Sequence, residues 1–207
     1  DQRLDDKVVV EFVYEELVGP QADKLLELIG WDQGLYEHLQ SIADGSNHLK
    51  ERAARAVSAA KARKIRTLTI RDLNARGLEG DEDGESGNFA MLCRHSLVTD
   101  GQQKRLRGGS FGIGKSVLWA FSGASTVLFS SLPMEKKANS IQKLGTARFF
   151  GRAYLVSHVH SKQKIWHNGD GHFGEVDAGV SPRWAKSIRD AHVKNKVAGT
   201  VLDRDWK

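Results

Sequence analysis

Cysteine is all but missing. Cys93 stands alone among 207 residues, which excludes an intramolecular disulfide and a zinc site built on cysteines. Proline is nearly as scarce, 3 residues against 21 glycines, so the chain does not have the composition of a linker or a disordered tail. No apolar run approaches the roughly 18–20 residues that a membrane-spanning helix needs. Neither sign of charge dominates: 31 Lys and Arg against 26 Asp and Glu leave +5, a mild lean toward anionic partners. What is present is the composition of a folded domain, 40% hydrophobic and 28% charged. At about 100–200 residues per domain the length suits a single core. With one thiol and no membrane span, a reducing cytoplasmic location is the default expectation. The chain opens at Asp1 with no methionine and reads as a single domain, 1–207, that is incomplete at its N-terminus.

Val8-Val9-Val10-Glu11-Phe12-Val13-Tyr14 has the β-branched and aromatic content of a strand, and Gly19-Pro20 stops it. Residues 20–64 read as a helical insertion. Leu25, Leu26, Leu28 and Ile29 form one apolar stripe, Leu35, Leu39 and Ile42 another, with a break at Gly45 and a cap at Asn47. Ile65 to Ile70 alternates apolar and polar residues, as a strand with one buried face does. From about 79 to 108 the chain is glycine-rich and charged, which predicts a mobile loop with one short helix near Phe89–Cys93. A helix over Lys115–Phe121 and a strand over Thr126–Phe129 follow. Strands over Ala147–His158 and Lys162–His167 form a predicted hairpin, Pro182 opens a helix to about Lys194, and Thr200-Val201-Leu202 is a last strand. Late strands this close together leave no room for crossover helices. The expected class is α+β: a two-layer α/β sandwich whose mixed, largely antiparallel sheet carries helices on one face.

The chemistry concentrates in Gly108-Gly109-Ser110-Phe111-Gly112-Ile113-Gly114-Lys115-Ser116, which runs straight into a predicted helix. Glycines at 109, 112 and 114 let successive N–H groups face one concavity at the positive end of that helix, an arrangement suited to phosphate. Gly109-x-x-x-x-Gly114-Lys115-Ser116 also satisfies the P-loop expression of a nucleoside triphosphatase. Its surroundings argue against that reading. A P-loop follows a buried strand, yet residues 100–107 are polar and basic, and the later strands end in serines and histidines where a magnesium-binding Asp is needed.

The same residues, read as Gly-x-x-Gly-x-Gly, resemble the phosphate loop of the GHKL superfamily, the Bergerat-fold ATPases. These include gyrase-type topoisomerases, mismatch-repair ATPases of the MutL type, ninety-kilodalton heat-shock chaperones and sensor histidine kinases. Gly109-Ser-Phe-Gly-Ile-Gly-Lys-Ser116 is most similar to the chaperone version. Upstream, Thr67-Leu68-Thr69-Ile70-Arg71-Asp72-Leu73-Asn74-Ala75-Arg76-Gly77 is similar to the family's strand followed by Asp-x-Gly-x-Gly, with Asn74 at the first glycine and one extra residue of spacing. Asn is the best non-glycine residue for a left-handed turn. Gly199-Thr200 resembles the Gly-Thr that opens a late strand near the adenine.

The resemblance implies that Asp72, as a buried carboxylate, accepts from the exocyclic amine of adenine, with Asn74, Gly77 and Thr200 around the base. Gly109, Phe111, Gly112, Ile113, Gly114, Lys115 and Ser116 would hold the phosphates of ATP. The segment 79–108 would be a lid, and ATP would drive dimerisation or a partner's rearrangement. The family's Glu-x-x-x-Asn motif, which supplies a general base and a magnesium ligand, precedes its first strand and is expected upstream of Asp1. No catalytic residue and no magnesium ligand is therefore assigned within 1–207, and no hydrolysis is expected of this segment alone.

Two other readings stand beside this one. Between Lys50 and Arg71 eight Lys or Arg oppose only Glu51, and a second basic run lies at 104–107, so a nucleic-acid-binding module is the rival to a solvated basic face. His158 and His160, with His167 and His172, have spacings that zinc could use. With no carboxylate or cysteine at fixed spacing beside them, they read as solvent-facing strand residues and no metal ligand is assigned.

Overall fold

The computed structural model describes residues 7–80, 87–94, 113–136, 142–144, 147–175 and 182–185. The chain is an α+β protein in which every described strand pair is antiparallel. Strand β1 (Val9–Val18) pairs with β2 (Lys64–Leu73) over their full length, from Val9 opposite Leu73 to Val18 opposite Lys64. The strands read from Val8–Tyr14 and from Ile65–Ile70 are therefore one ribbon, and each is longer than its apolar run suggested. Gly19 turns the chain at φ 52°, a left-handed conformation that glycine adopts without cost, and its N–H donates to the Arg63 carbonyl at 2.9 Å. Pro20 then occupies the first turn of α1, where its missing N–H costs nothing.

The predicted insertion between these strands is helical: α1 (Pro20–Leu28), a 3-10 turn at Trp31–Gln33, α2 (Leu35–Asp44) and α3 (Lys50–Lys61). Asn47 joins the last two without acting as a helix N-cap. Its Nδ2 donates to the Ile42 carbonyl at 3.1 Å and its Oδ1 accepts from the Leu49 N–H at 3.0 Å. Leu25, Ile29, Trp31, Leu35, Leu39, Ile42, Ala53, Val57 and Ala60 pack into one core with Phe149, Ala153 and Phe173.

Helix α4 (Ile113–Phe121) precedes β3 (Thr126–Ser131). A small ribbon, β4 (Met134–Lys136) with β5 (Gln142–Leu144), comes next. Strand β6 (Arg148–Tyr154) pairs with β3 and with β9 (Asp170–Glu175), and β10 (Pro182–Ala185) completes a sheet of order β10-β9-β6-β3. Between β6 and β9 stands a short hairpin of β7 (His158–Val159) and β8 (Trp166–His167). Alternation along β6 sends Phe149 and Ala153 toward the insertion, and Phe150 into a second core with Phe89, Cys93, Trp119 and Phe129. Helical elements thus back both faces of this sheet, where one helical layer was expected.

Two local expectations are corrected. Pro182 does not open a helix. It begins edge strand β10, with Pro182 opposite Glu175 and Trp184 opposite Phe173. Proline fits the first residue of an edge strand as well as the first turn of a helix, and pairing with β9 decides between them. Residues 186–194 and the strand expected at 200–202 lie outside the described residues. The run 147–158 is not one strand either. Gly169, at φ 90°, brings its backbone so close to Leu155 that a Cβ would sit 2.2 Å from the Leu155 carbonyl oxygen, and this contact closes the β7–β8 excursion before β9.

Within the loop expected at 79–108, the short helix expected near Phe89–Cys93 is present and packed. A π-helical turn at Ala90–Arg94 buries Phe89, Ala90 and Cys93, and Phe89 N–H donates to the Glu79 carbonyl. No described helix is long and apolar enough to cross a membrane.

Candidate functional site

Asp72 lies at the penultimate position of β2, opposite Val10. It shares its face of the ribbon with Leu68 and Ile70, and Phe12 and Tyr14 lie across from them. All of these are exposed, Phe12 at 69%. The carboxylate is therefore exposed, contrary to the burial implied by the resemblance, because among the described residues no element covers this face. Asp72 does not line the crevice found between the insertion and the sheet, which is bordered by Leu39, Ile42, Arg52, Ala53, Gly123 and Leu155.

The turn after β2 behaves as its residues suggest. Asn74 is left-handed at φ 59°, as is Gly77 at φ 72°. The Asn74 side chain donates to the Lys7 carbonyl at 3.2 Å. The close approach that requires glycine at 77 is made to protein. A Cβ there would lie 2.6 Å from the Leu132 carbonyl oxygen. Leu78 N–H donates to Ser131 Oγ at 2.7 Å, and Arg148 Nη1 donates to the Leu78 carbonyl at 3.2 Å. This turn is thus anchored to the end of β3.

Of the phosphate-loop residues, Gly109, Phe111 and Gly112 lie outside the described residues, as does Thr200. Helix α4 starts at Ile113. Gly114 is exposed, and among the described residues nothing lies within 4 Å of where its side chain would be. Ser116 is exposed on the same first turn. Lys115 turns inward and donates to the Met91 carbonyl at 2.8 Å. Burial, and secondarily the Arg152 cation, hold its pKa below the usual lysine range. At the other end of α4, Arg52 of the insertion donates through Nη2 to the carbonyls of Trp119 (2.8 Å), Ala120 (2.7 Å) and Ser122. A cation there completes carbonyls that the helix leaves open and opposes the negative end of its dipole. Arg52→Ala is expected to lower stability by about 1–2 kcal/mol, read from urea denaturation, with Arg52→Lys recovering part of the loss.

The basic stretch is largely paired. Arg63 meets Asp23 at 2.8 Å, Glu16 lies between Lys64 and Arg66, Arg71 faces Glu11 at 3.9 Å and Arg55 faces Glu51. Exposed pairs of this kind add little stability, but they commit these cations to neighbours within the chain.

The histidines depart furthest from expectation. His158, His160, His167 and His172 are buried, His160 to 1% exposure, where solvent-facing positions were expected. Three of them surround His38 of α2, which no motif flagged. Its ring centre lies 5.1 Å from that of His158, 5.0 Å from His160 and 4.7 Å from His167. Among the described residues no group of three or more His, Cys, Asp or Glu side chains is disposed to hold a metal ion. His172 instead stands beside Asp170, which binds Arg152 through both carboxylate oxygens.

No family model, curated protein or solved structure matches this chain.

Proposed function

We propose that this chain is an ATP-binding domain of the GHKL type, with the Bergerat sandwich as its fold, whose nucleotide binding drives a conformational change or dimerisation of a larger protein. The observation that carries this reading is the order of parts around β2 and α4. A strand ends on an exposed carboxylate, Asp72, and a left-handed turn through Asn74 and Gly77 leads away from it. Farther along, a glycine-rich stretch of the sequence precedes α4, which starts at Ile113. Asp72 would accept from the adenine amine, with the apolar strand face beside it available to the base. Gly109, Gly112 and Gly114, with Ser116, would offer N–H groups and a hydroxyl to the phosphates. Among the described residues, the space left at Gly114 suits a ligand that must approach the backbone. Magnesium would neutralise phosphate charge when bound, but no residue of this chain is assigned to ligate it. Lys115, which both the GHKL and the P-loop readings place at the phosphates, donates to the Met91 carbonyl instead. The P-loop pattern depends on that lysine, whereas the glycine loop of the GHKL pattern binds through its backbone N–H groups.

The test is selective loss of adenine recognition. Asp72→Asn keeps the size of the side chain and removes its charge. It is expected to weaken ATP binding by about tenfold, equivalent to about 1.4 kcal/mol, near the low end for a hydrogen bond to a charged group because the carboxylate is exposed. A purine triphosphate lacking the 6-amino group should bind the variant and the parent alike. Titration calorimetry with both nucleotides separates the outcomes, and equal losses for the two would remove Asp72 from base recognition.

A further inference from the structure

The histidine cluster joins two parts of the chain that the sequence keeps 120 residues apart: helix α2 of the insertion and the β7–β8 hairpin. Its hydrogen bonds fix the protons. A carbonyl oxygen only accepts, so His158 Nδ1, 2.9 Å from the Val156 carbonyl, carries hydrogen. In the neutral ring its Nε2 is then the acceptor, and His38 Nδ1, 2.9 Å away, must donate to it. His160 Nδ1 accepts from the Gln163 N–H at 3.2 Å, so its hydrogen is on Nε2, facing Glu37 Oε2 at 3.3 Å. With the rings neutral, these bonds leave one tautomer for each of the three imidazoles. One more proton on the His38–His158 pair is still shared, because a neutral His38 Nδ1 accepts from a charged His158, but a second sets two donors against each other there. A proton on His160 Nδ1 does the same at the Gln163 N–H.

We propose that His38, His158, His160 and His167 form an acid-sensitive clasp, which docks α2 on the β7–β8 hairpin while its rings are neutral and releases it when they gain protons. Among the described residues, the charged and titratable groups facing the cluster come from α2 and the hairpin. From α2 come His38 and Glu37, and from the hairpin His158, His160, His167 and Lys162, which is paired with Glu37. Among the described residues, the junction also holds a serine pair: Ser41 Oγ lies 3.0 Å from Ser161 Oγ and accepts from the Ser161 N–H. Glu37 favours protonation of its neighbours, but Lys162 occupies one of its oxygens.

Burial, reinforced by the charges that His158, His167 and His160 would carry, lowers the His38 pKa to about 4. Burial also lowers that of His158, against the Val156 carbonyl bond, which raises it. The sign follows from linkage. A base whose pKa is depressed when docked contributes fully above its free value of 6.5, and the contribution is lost as pH falls from there toward about 4. For His38 alone, opening becomes about 20-fold more favourable between pH 7 and pH 5.

The experiment is hydrogen–deuterium exchange on the whole chain at pH 7 and pH 5, expressed as protection factors so that the intrinsic pH dependence of exchange divides out. Protection at residues 35–44 and 158–167 is expected to fall by about 20-fold or more, while 126–131 and 148–154 hold theirs. His38→Gln and His158→Gln should each reduce that step several-fold, and if one of them does not fold, the other decides. Unchanged protection at pH 5, a uniform loss across the chain, or a full step retained in the variants would overturn the clasp. Equimolar zinc that raises protection of α2 at pH 7 and abolishes the step would also overturn it, by showing that the cluster is a coordination site.

Discussion

Asp170→Ala is expected to destabilise the protein by about 3 kcal/mol, through a residue that no motif singled out. Arg152 sits on β6 in the middle of the four-stranded sheet and is 1% exposed. Its Nε and Nη2 donate to the two oxygens of Asp170 at 3.0 and 2.9 Å, and its guanidinium lies over the Tyr154 ring at 4.7 Å. A guanidinium taken out of water loses hydration that only a well-placed anion restores, so removing the acid from a buried pair typically costs 3–5 kcal/mol. The lower end applies because Asp170 keeps 28% of its side-chain surface exposed. Urea denaturation should show the midpoint shift with the slope unchanged. The double variant Arg152→Met/Asp170→Ala should recover most of the loss, since an apolar pair of similar volume requires no dehydration of charge. A double variant as unstable as Asp170→Ala alone would mean that Arg152 is held by its packing and not by its ion pair.

That pair also shows where reading the sequence reaches its limit. The alternation of Thr67-Leu68-Thr69-Ile70 is a local property of the chain, and β2 was legible from it. So were the breaks at Gly19-Pro20 and Gly45, because a backbone that glycine permits or proline forbids is decided within a few bonds. Helix α4 was legible for the same reason. Arg152 read as one more charge in a strand, since its partner arrives from the next strand after the β7–β8 excursion. Strand β9 itself was missed: Asp170-Gly-His-Phe-Gly-Glu has two glycines and little β-branched content, and it is a strand because β6 and β10 pair with it on both sides.

The histidines failed the same test in the opposite direction. His158 and His160 alternate with Val159 as residues on one face of a strand do, but spacing does not say whether that face meets water or another element. Here it meets α2, and the residue that completes the cluster, His38, comes from a helix 120 residues away. The runs that carry the proposed nucleotide site stand out in the sequence because they are short and contiguous. The burial assigned to Asp72 was not, because it depends on what covers a ribbon face whose most apolar residues, Phe12 and Tyr14, are exposed in the described structure.

Gly77→Ala is expected to lower stability by about 2–5 kcal/mol and, on the proposed function, to weaken ATP binding without removing any group that touches the nucleotide. Two costs add. At φ 72° an alanine carries the left-handed penalty of roughly 1–2 kcal/mol. Its Cβ would also meet the Leu132 carbonyl oxygen at 2.6 Å and Ser131 Oγ at 2.9 Å, and relieving overpacking against backbone costs about 1–3 kcal/mol. The chain relieves this by moving residues 77–78 off β3, which breaks the Leu78–Ser131 and Arg148–Leu78 hydrogen bonds. Those bonds anchor the turn that follows Asp72 to the sheet that follows α4, so their loss lets the two ends of the proposed site drift relative to each other. Asn74→Gly is the control. It keeps the left-handed turn at φ 59° and removes an exposed hydrogen bond to Lys7, so stability should change little. Thermal denaturation and calorimetric titration on both variants make the comparison. ATP binding unaffected by Gly77→Ala, in a protein shown to be destabilised, would separate the Asp72 turn from the nucleotide site.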